Sequence, residues 1–424
     1  MIGANIIRTF FSRSGTAVIN LIVVVISARL LGDEGMGMIS LLILTITINT
    51  LVVGLWGGAG LVYLTPRHPV KNLLIIGYSW SVVASLVVVW IMQYFKLYPD
   101  EFGNDVYLLA IISSFVGINM YILLGKERIK THNILTFFQS VFLLATISIQ
   151  FYLIDFINVK AYLWALYVSF GFVWISSSIA LLNINSTKVQ ETFIETLKET
   201  YNYSKMVQAG SGMQLVNYRF SYYIIDYFLG TAMLGRFSVA VQLVEGIWIL
   251  GKSFGLVLYS KISNVDDVKE SIKISLPLIK IAVFGTLLAT VIILLLPPDF
   301  FTFLFGKDFS GINEILFFLA PGIVFVSATM LFSSFFSGIG LVKINTMGSF
   351  IGLVSTILLV VWMVYLYGLT GAAIATSLSY LTSFVYAHYQ FKKISGFGYG
   401  IYKLSMADLQ QFKKLVNGLF SKEQ

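Results

Sequence analysis

From Ile344 to Phe391 the chain runs 48 residues without an Asp, Glu, Lys or Arg. A helical membrane crossing needs about 20 apolar residues, so this run is long enough for two. The turn signal Tyr367-Gly368-Leu369-Thr370-Gly371 divides it. Shorter charge-free runs recur at 72–95, 106–125, 133–154, 161–187 and 315–342, and less pure apolar stretches at 14–31, 36–64, 206–230, 237–258 and 274–298 complete twelve expected spans. Only 11% of residues are charged, against roughly 25% in soluble domains, so the chain reads as an integral membrane protein. A membrane barrel would need strands of about 10 residues alternating apolar and polar. That pattern is missing from this sequence, and the expected fold class is all-α.

Loops rich in Lys and Arg are retained in the cytoplasm, and here 20 of the 28 basic residues fall on the N-terminal side of the membrane. Both termini are therefore expected in the cytoplasm. The first apolar stretch follows Arg8 and Arg13 as a signal peptide would, but no small-x-small cleavage site follows it; an uncleaved first span is expected. The net charge of +8 is spread over short loops at helix ends, which fits topology and anionic lipid rather than nucleic acid. Zero Cys excludes disulfides, Cys-ligated zinc and iron–sulfur clusters, and no cofactor is expected.

No soluble catalytic domain fits between the spans, so an enzyme is not expected. The longest polar connector, Asn185 to Lys205, lies near the midpoint and carries charges at near-helical spacing. It separates an expected bundle at 1–190 from a second at 191–391. A tail, 392–424, sets Leu404, Leu409, Phe412, Leu415 and Leu419 among lysines, as an interfacial amphipathic helix does. The two halves echo each other. At a shift of 198, Leu31-Gly32 meets Leu229-Gly230, Gly37 meets Gly235, Ser40 meets Ser238 and Gly57 meets Gly255. Two six-helix pseudo-symmetric bundles related by an axis along the membrane normal are the expected architecture, a plan in which substrate binds between halves that rock.

Gly246-Ile247-Trp248-Ile249-Leu250-Gly251-Lys252-Ser253 satisfies the GxxxxGK[ST] pattern letter for letter. A phosphate loop needs a preceding strand and free backbone N–H groups, whereas this segment lies inside an apolar span, so no nucleotide is expected. Phe151 to Asp155 resembles a Walker B strand only as chance allows in so apolar a chain. His68, His132 and His388 lack metal-ligand spacing. The pairs Gly54/Gly58, Gly251/Gly255 and Gly348/Gly352 have the spacing of close helix contacts, and Pro321-Gly322 is expected to kink the tenth span.

Arg219, Asp226, Glu245 and Lys252 lie within or at the ends of the seventh and eighth spans. An ionisable group at the bilayer centre costs about 2.5–3.5 kcal/mol on insertion scales and usually faces a bundle interior or wet cavity. The spacing of seven within each pair puts it along one helix face. Arg219 and Glu245 fall near mid-depth, where a structural salt bridge competes with a substrate role. Lys252 and Lys280, with Arg8 and Arg13 at the mouth of the first span, would form an inward-opening basic funnel suited to an anion; snorkelling to headgroups is the alternative for Lys280 and the two arginines. Asn20, Thr45, Thr47, Asn49 and Asn119 offer neutral hydrogen bonds, to sugars or to neighbouring helices. Tyr218, Tyr222, Tyr223 and Trp248 suit sugar stacking or core packing.

Tyr218-Arg219, Asp226, Leu229-Gly230, Leu234 to Ala240, Leu243-Val244-Glu245 and Ile247-Trp248 resemble the block around the seventh and eighth helices of polysaccharide transporters, the Wzx-like flippases of the superfamily that includes MATE exporters. Ser27 to Gly37 is similar to that family's first interhelical junction. Ser221 departs from the family, which commonly has Asp there. The resemblance implies translocation of an undecaprenyl-diphosphate-linked oligosaccharide to the outer leaflet of a bacterial cytoplasmic membrane, for O-antigen, capsule or exopolysaccharide assembly. Binding residues are then expected among Arg219, Lys252, Glu245, Arg13, Arg8, Lys280, Asn49 and Tyr218, and ion coupling at Glu245 or Asp226. Partners would be the lipid-linked oligosaccharide, membrane lipids and the polysaccharide polymerase machinery. The competing readings are an ion-coupled exporter of small organic molecules, which would favour an acidic cavity, and a membrane glycosyltransferase or polymerase, which would need a larger outer loop.

Overall fold

A computed structural model describes residues 2–182, 192–263, 265, 267–398, 405, 406 and 410; the side chains of residues 2–13 and 260 fall outside that description. The start of the connector, with Lys188, and the greater part of the tail read above as amphipathic also lie outside the described residues. Among the described residues the regular structure is entirely helical: α1 (Ile2–Gly57), α2 (Gly60–Leu64), α3 (Val70–Tyr94), α4 (Gly103–Gly125), α5 (Ile129–Tyr152), α6 (Val159–Leu182), α7 (Phe193–Leu229), α8 (Thr231–Ile262), α9 (Val268–Leu294), α10 (Pro298–Phe305), α11 (Ile312–Gly338) and α12 (Val342–Ser395), with two short 3-10 turns.

Nine helical stretches among the described residues are long and apolar enough to cross a membrane. Two of them are broken by a glycine with positive φ, Gly32 in α1 and Gly368 in α12, and each is two spans end to end. α7 is less apolar than the other spans because even its second half carries Gln208, Gln214, Asn217, Arg219 and Asp226; that half is the seventh span. The twelve spans of an all-α membrane protein are thus accounted for.

The echo between the halves extends to the backbone. Gly32 has φ 69° and ψ −173°, and Gly230, its counterpart 198 residues on, has φ 87° and ψ 167°. Glycine tolerates this region of conformational space, which a side chain makes costly. Beyond Gly230 the chain folds back, since Arg219 meets Glu245, Tyr218 meets Trp248 and Tyr222 meets Phe237. Pro321 lies inside α11 without ending it.

The chain divides into two compact units, Phe11–Leu215 and Val216–Gln424 with Met1–Phe10, and the boundary falls inside α7. The first unit has a core of Val53, Leu61, Leu73, Ile118, Leu123 and Val173. Its buried polar groups find partners on neighbouring helices, as a medium without water demands. Asn119 accepts from the Tyr78 hydroxyl (2.8 Å) and donates to Ser177 and Ser178 (both 3.0 Å). The first half of α7 begins with a capping box: Thr192 N–H donates to Glu195 Oε2 (3.0 Å), as does the Thr192 hydroxyl (2.8 Å). Those donors hold the exposed Glu195 carboxyl below its ordinary value, the backbone N–H most strongly. This half-helix packs on the first unit, with Gln208 seated over Gly54 and Gly58, Trp56 Nε1 donating to Leu197 O (3.2 Å), Tyr63 stacked on Tyr203 (4.5 Å) and His68 against Glu199 (3.2 Å).

The second unit has a core of Leu258, Ile262, Leu278, Leu331, Phe332, Phe335 and Phe391. α8 reaches α11 through Gly251 and Gly255, which lie against Ser327 and Ser334. The two arms of α12 are laced by Ser383 Oγ donating to Gly348 O (3.1 Å) and Ser379 Oγ donating to Gly352 O (2.8 Å). Each Gly pair at a spacing of four therefore serves a close helix approach.

A Cβ at Gly352 would strike Ser383 Oγ and Asn217 Nδ2, whereas a Cβ at Gly171 would meet nothing within 4 Å. Gly352→Ala is expected to destabilise by about 1–3 kcal/mol through overpacking. Gly171→Ala is expected to be neutral or to stabilise by about 0.5–1 kcal/mol. Thermal unfolding of the two purified variants checks both.

Candidate functional site

The α7–α8 hairpin is closed at Gly230, and the Thr231 hydroxyl ties the turn by donating to Asp226 Oδ1 (2.8 Å). Asp226 is thereby a turn residue. Eleven residues back along α7 is Arg219, about 16 Å from the turn at 1.5 Å per residue. Its Nη2 lies 2.7 Å from Glu245 Oε1 on α8, and each side chain keeps 25% of its surface exposed. Nη1 donates to the Tyr222 hydroxyl oxygen (3.1 Å), and the guanidinium stands 5.1 Å from the centre of that ring. The ion pair is therefore mostly buried, with part of each side chain left accessible.

Around the pair lies an aromatic wall. Trp248 is buried between Tyr218 (ring centres 5.3 Å apart) and Tyr380 (6.1 Å), and Tyr218 meets Tyr380 edge-on at 5.6 Å. One turn further along α8, exposed Lys252 places its ammonium 5.9 Å from the Trp248 ring centre, so the cation is held beside the aromatic face. Trp248 Nε1 is buried with no acceptor. A buried donor left unmatched is costly, and here it stands beside the charged pair.

Arg219 is fixed from below as well as from the side. Two residues earlier, Asn217 Oδ1 accepts from Thr356 Oγ1 (2.5 Å) and Ser379 Oγ (2.9 Å), joining α7 to both arms of α12. The same arm of α12 carries Tyr380, one residue beyond Ser379. Neither Asn217 nor Tyr380 stands out in the sequence: both lie in apolar, aromatic-rich segments, and their importance comes only from which helix they meet.

Of the residues read from the sequence, Arg219, Glu245, Tyr218 and Lys252 are brought together on the hairpin. Ser221, where the resembling family commonly has Asp, is buried, and Arg219 pairs with Glu245. Asn49 belongs to the first unit; it is fully buried, and its amide donates to Ser85, Ser114 and Ala110 O at 3.0–3.3 Å. Lys280 is half-buried on α9. The side chains of Arg8 and Arg13 lie outside the described residues. The GxxxxGK[ST] segment is an uninterrupted part of α8, so its backbone N–H groups are spent on the helix. No cluster of three metal-ligating side chains occurs among the described residues.

No protein-family model matches the chain. Over 216 residues it is 24% identical to the capsular polysaccharide biosynthesis protein CapF of Staphylococcus aureus, a match covering 50% of this chain and 52% of that protein. The chain thus spans about half the length of this curated relative. An inward-facing multidrug resistance MATE transporter of the MOP superfamily superposes with a TM-score of 0.71 at 16% identity, over 90% of this chain and 96% of that one. The lipid II flippase MurJ, in its inward closed conformation, superposes with a TM-score of 0.67 at 17% identity, over 98% of this chain and 90% of that one. Likeness at such identities is one of fold. The chain is a multi-pass membrane protein whose fold is like that of the MATE transporter and of MurJ.

Proposed function

We propose that the protein is a flippase that carries an undecaprenyl-diphosphate-linked oligosaccharide repeat unit across the bacterial cytoplasmic membrane by alternating access, both termini being cytoplasmic. O-antigen, capsule or exopolysaccharide assembly would consume the product. The observation that carries this reading is the half-open Arg219–Glu245 pair beside Lys252 and an aromatic wall. A diphosphate entering there competes with Glu245 for the guanidinium, which can grip it bidentately. Lys252 supplies a second positive charge, and Tyr218 and Trp248 offer ring faces and a spare N–H to sugar. The names of the relatives point the same way, one a lipid II flippase and one a capsule protein.

A substrate that takes the Arg219 guanidinium releases the Glu245 carboxylate from its ion pair, leaving it open to another cation. Glu245 is accordingly the group assigned to proton or cation coupling. No nucleotide site is involved, and energy comes from an ion gradient or from removal of product outside.

The second reading, ion-coupled export of small organic molecules, draws on the likeness to the MATE transporter. The two are separated by complementing a flippase-deficient strain and scoring surface polysaccharide at matched expression. Arg219→Ala is expected to lower transport about 10- to 100-fold, the equivalent of losing about 1.5–3 kcal/mol of charge-assisted hydrogen bonding, with Arg219→Lys recovering only part because it lacks the planar fork. Lys252→Ala is expected to lower it less. Full activity in all of these sinks the flippase site, and wild-type extrusion of organic cations without restored polysaccharide establishes the exporter instead.

A second prediction concerns stability. Arg219→Ala leaves a carboxylate alone at membrane depth, where an ion costs about 2.5–3.5 kcal/mol. Glu245→Gln in the same chain is expected to recover most of the lost thermal stability in a double-mutant cycle. Additive losses would show that the two side chains are not coupled.

A further inference from the structure

In the second arm of α12, Leu381, Thr382, Val385, Tyr386 and Tyr389 line a groove of about 500 Å³. Their spacing of three and four keeps them on one helix face. The face is open, with Val385 55% and Tyr389 62% exposed. It is also apolar, since its Thr382 hydroxyl is engaged by Ser355 Oγ (3.0 Å) and Ser379 O (2.8 Å). In a membrane such a groove meets hydrocarbon rather than water, and van der Waals fit decides what fills it.

The end of the groove is basic. Three residues past Tyr389 come Lys392 and Lys393, both exposed. The lacing of Ser383 to Gly348 and of Ser379 to Gly352 sets the register of the two arms, and that register brings exposed Lys343 to the same end. From Leu381 to Tyr389 the helix rises about 12 Å, so the groove runs about that far before it reaches three ammonium groups. Tyr386 and Tyr389 stand between the two zones, where phenols favour the interface.

We infer that this groove holds the hydrocarbon tail of a polyprenyl-phosphate lipid, with the phosphate head on Lys343, Lys392 and Lys393. The inference rests on the flippase reading and names where the lipid of that substrate docks before its diphosphate moves to Arg219. An ordinary phospholipid has two chains and one net negative charge; a polyprenyl diphosphate has one chain and two or more. A single groove with a triply basic end matches the second.

The test uses the full chain in nanodiscs and a polyprenyl monophosphate bearing a photoreactive group in its tail. Labelling is expected to concentrate in residues 381–393 and to be competed by unlabelled polyprenyl phosphate but not by phosphatidylglycerol. Val385→Trp, which fills the groove from an exposed position, is expected to cut that labelling about tenfold, a change of about 1.4 kcal/mol. Replacing Lys343, Lys392 and Lys393 by Gln is expected to weaken it while Val385→Leu leaves it intact. Labelling spread evenly over lipid-facing helices, equal competition by phosphatidylglycerol, or no effect of Val385→Trp overturns the tail site and leaves the flippase reading standing. Failure of the wild-type chain to take up label above a non-transporting membrane protein overturns both.

Discussion

Hydrocarbon offers no hydrogen bonds, and everything in this protein follows from that. Backbone groups are paired inside helices, and many buried polar side chains bond a side chain of another helix or a carbonyl one turn back on their own. Asn49, Asn119 and Asn217 each tie their own helix to others in this way. In such a medium apolar packing discriminates little between neighbours, so small residues and polar knots decide which helices touch. Gly251, Gly255, Gly348 and Gly352 act as contact points, with a serine or tyrosine facing each.

The same constraint makes the Arg219–Glu245 pair informative. An ion pair in lipid is retained only where its charges neutralise each other or reach a polar space; here the two charges meet at 2.7 Å, with a quarter of each side chain exposed. Its surroundings are built from three directions. Tyr222 holds the guanidinium edge, Asn217 anchors α7 to α12, and Tyr380 closes the aromatic wall.

α7 is the element with two allegiances. Its first half, polar and capped by Thr192 and Glu195, packs on the first unit through Gln208, Leu197 and Tyr203. Its second half carries Asn217, Tyr218 and Arg219 in the second unit. Gln208, Asn217 and Arg219, which make these contacts, are also among the polar residues that lower the hydropathy of α7.

The spans were legible in the sequence because the cost of burying charge in lipid writes itself as long charge-free runs, and a glycine at each tight junction marks where two such runs part. The repeat was legible at Gly32 and Gly230 because only a residue without Cβ is comfortable in that backbone geometry. Arg219 and Glu245 were legible because charge at membrane depth is rare. The sequence offered an Arg219–Glu245 salt bridge and hydrogen bonds from Asn49 to neighbouring helices only as alternatives to substrate binding, and it did not give the Asp226 contact with Thr231. Tyr380 and Asn217 left no local mark at all, being ordinary residues in apolar segments. Those assignments were decided by tertiary structure, because helix-to-helix register in a bilayer is set by side-chain fit between segments distant in sequence, and no local pattern records it.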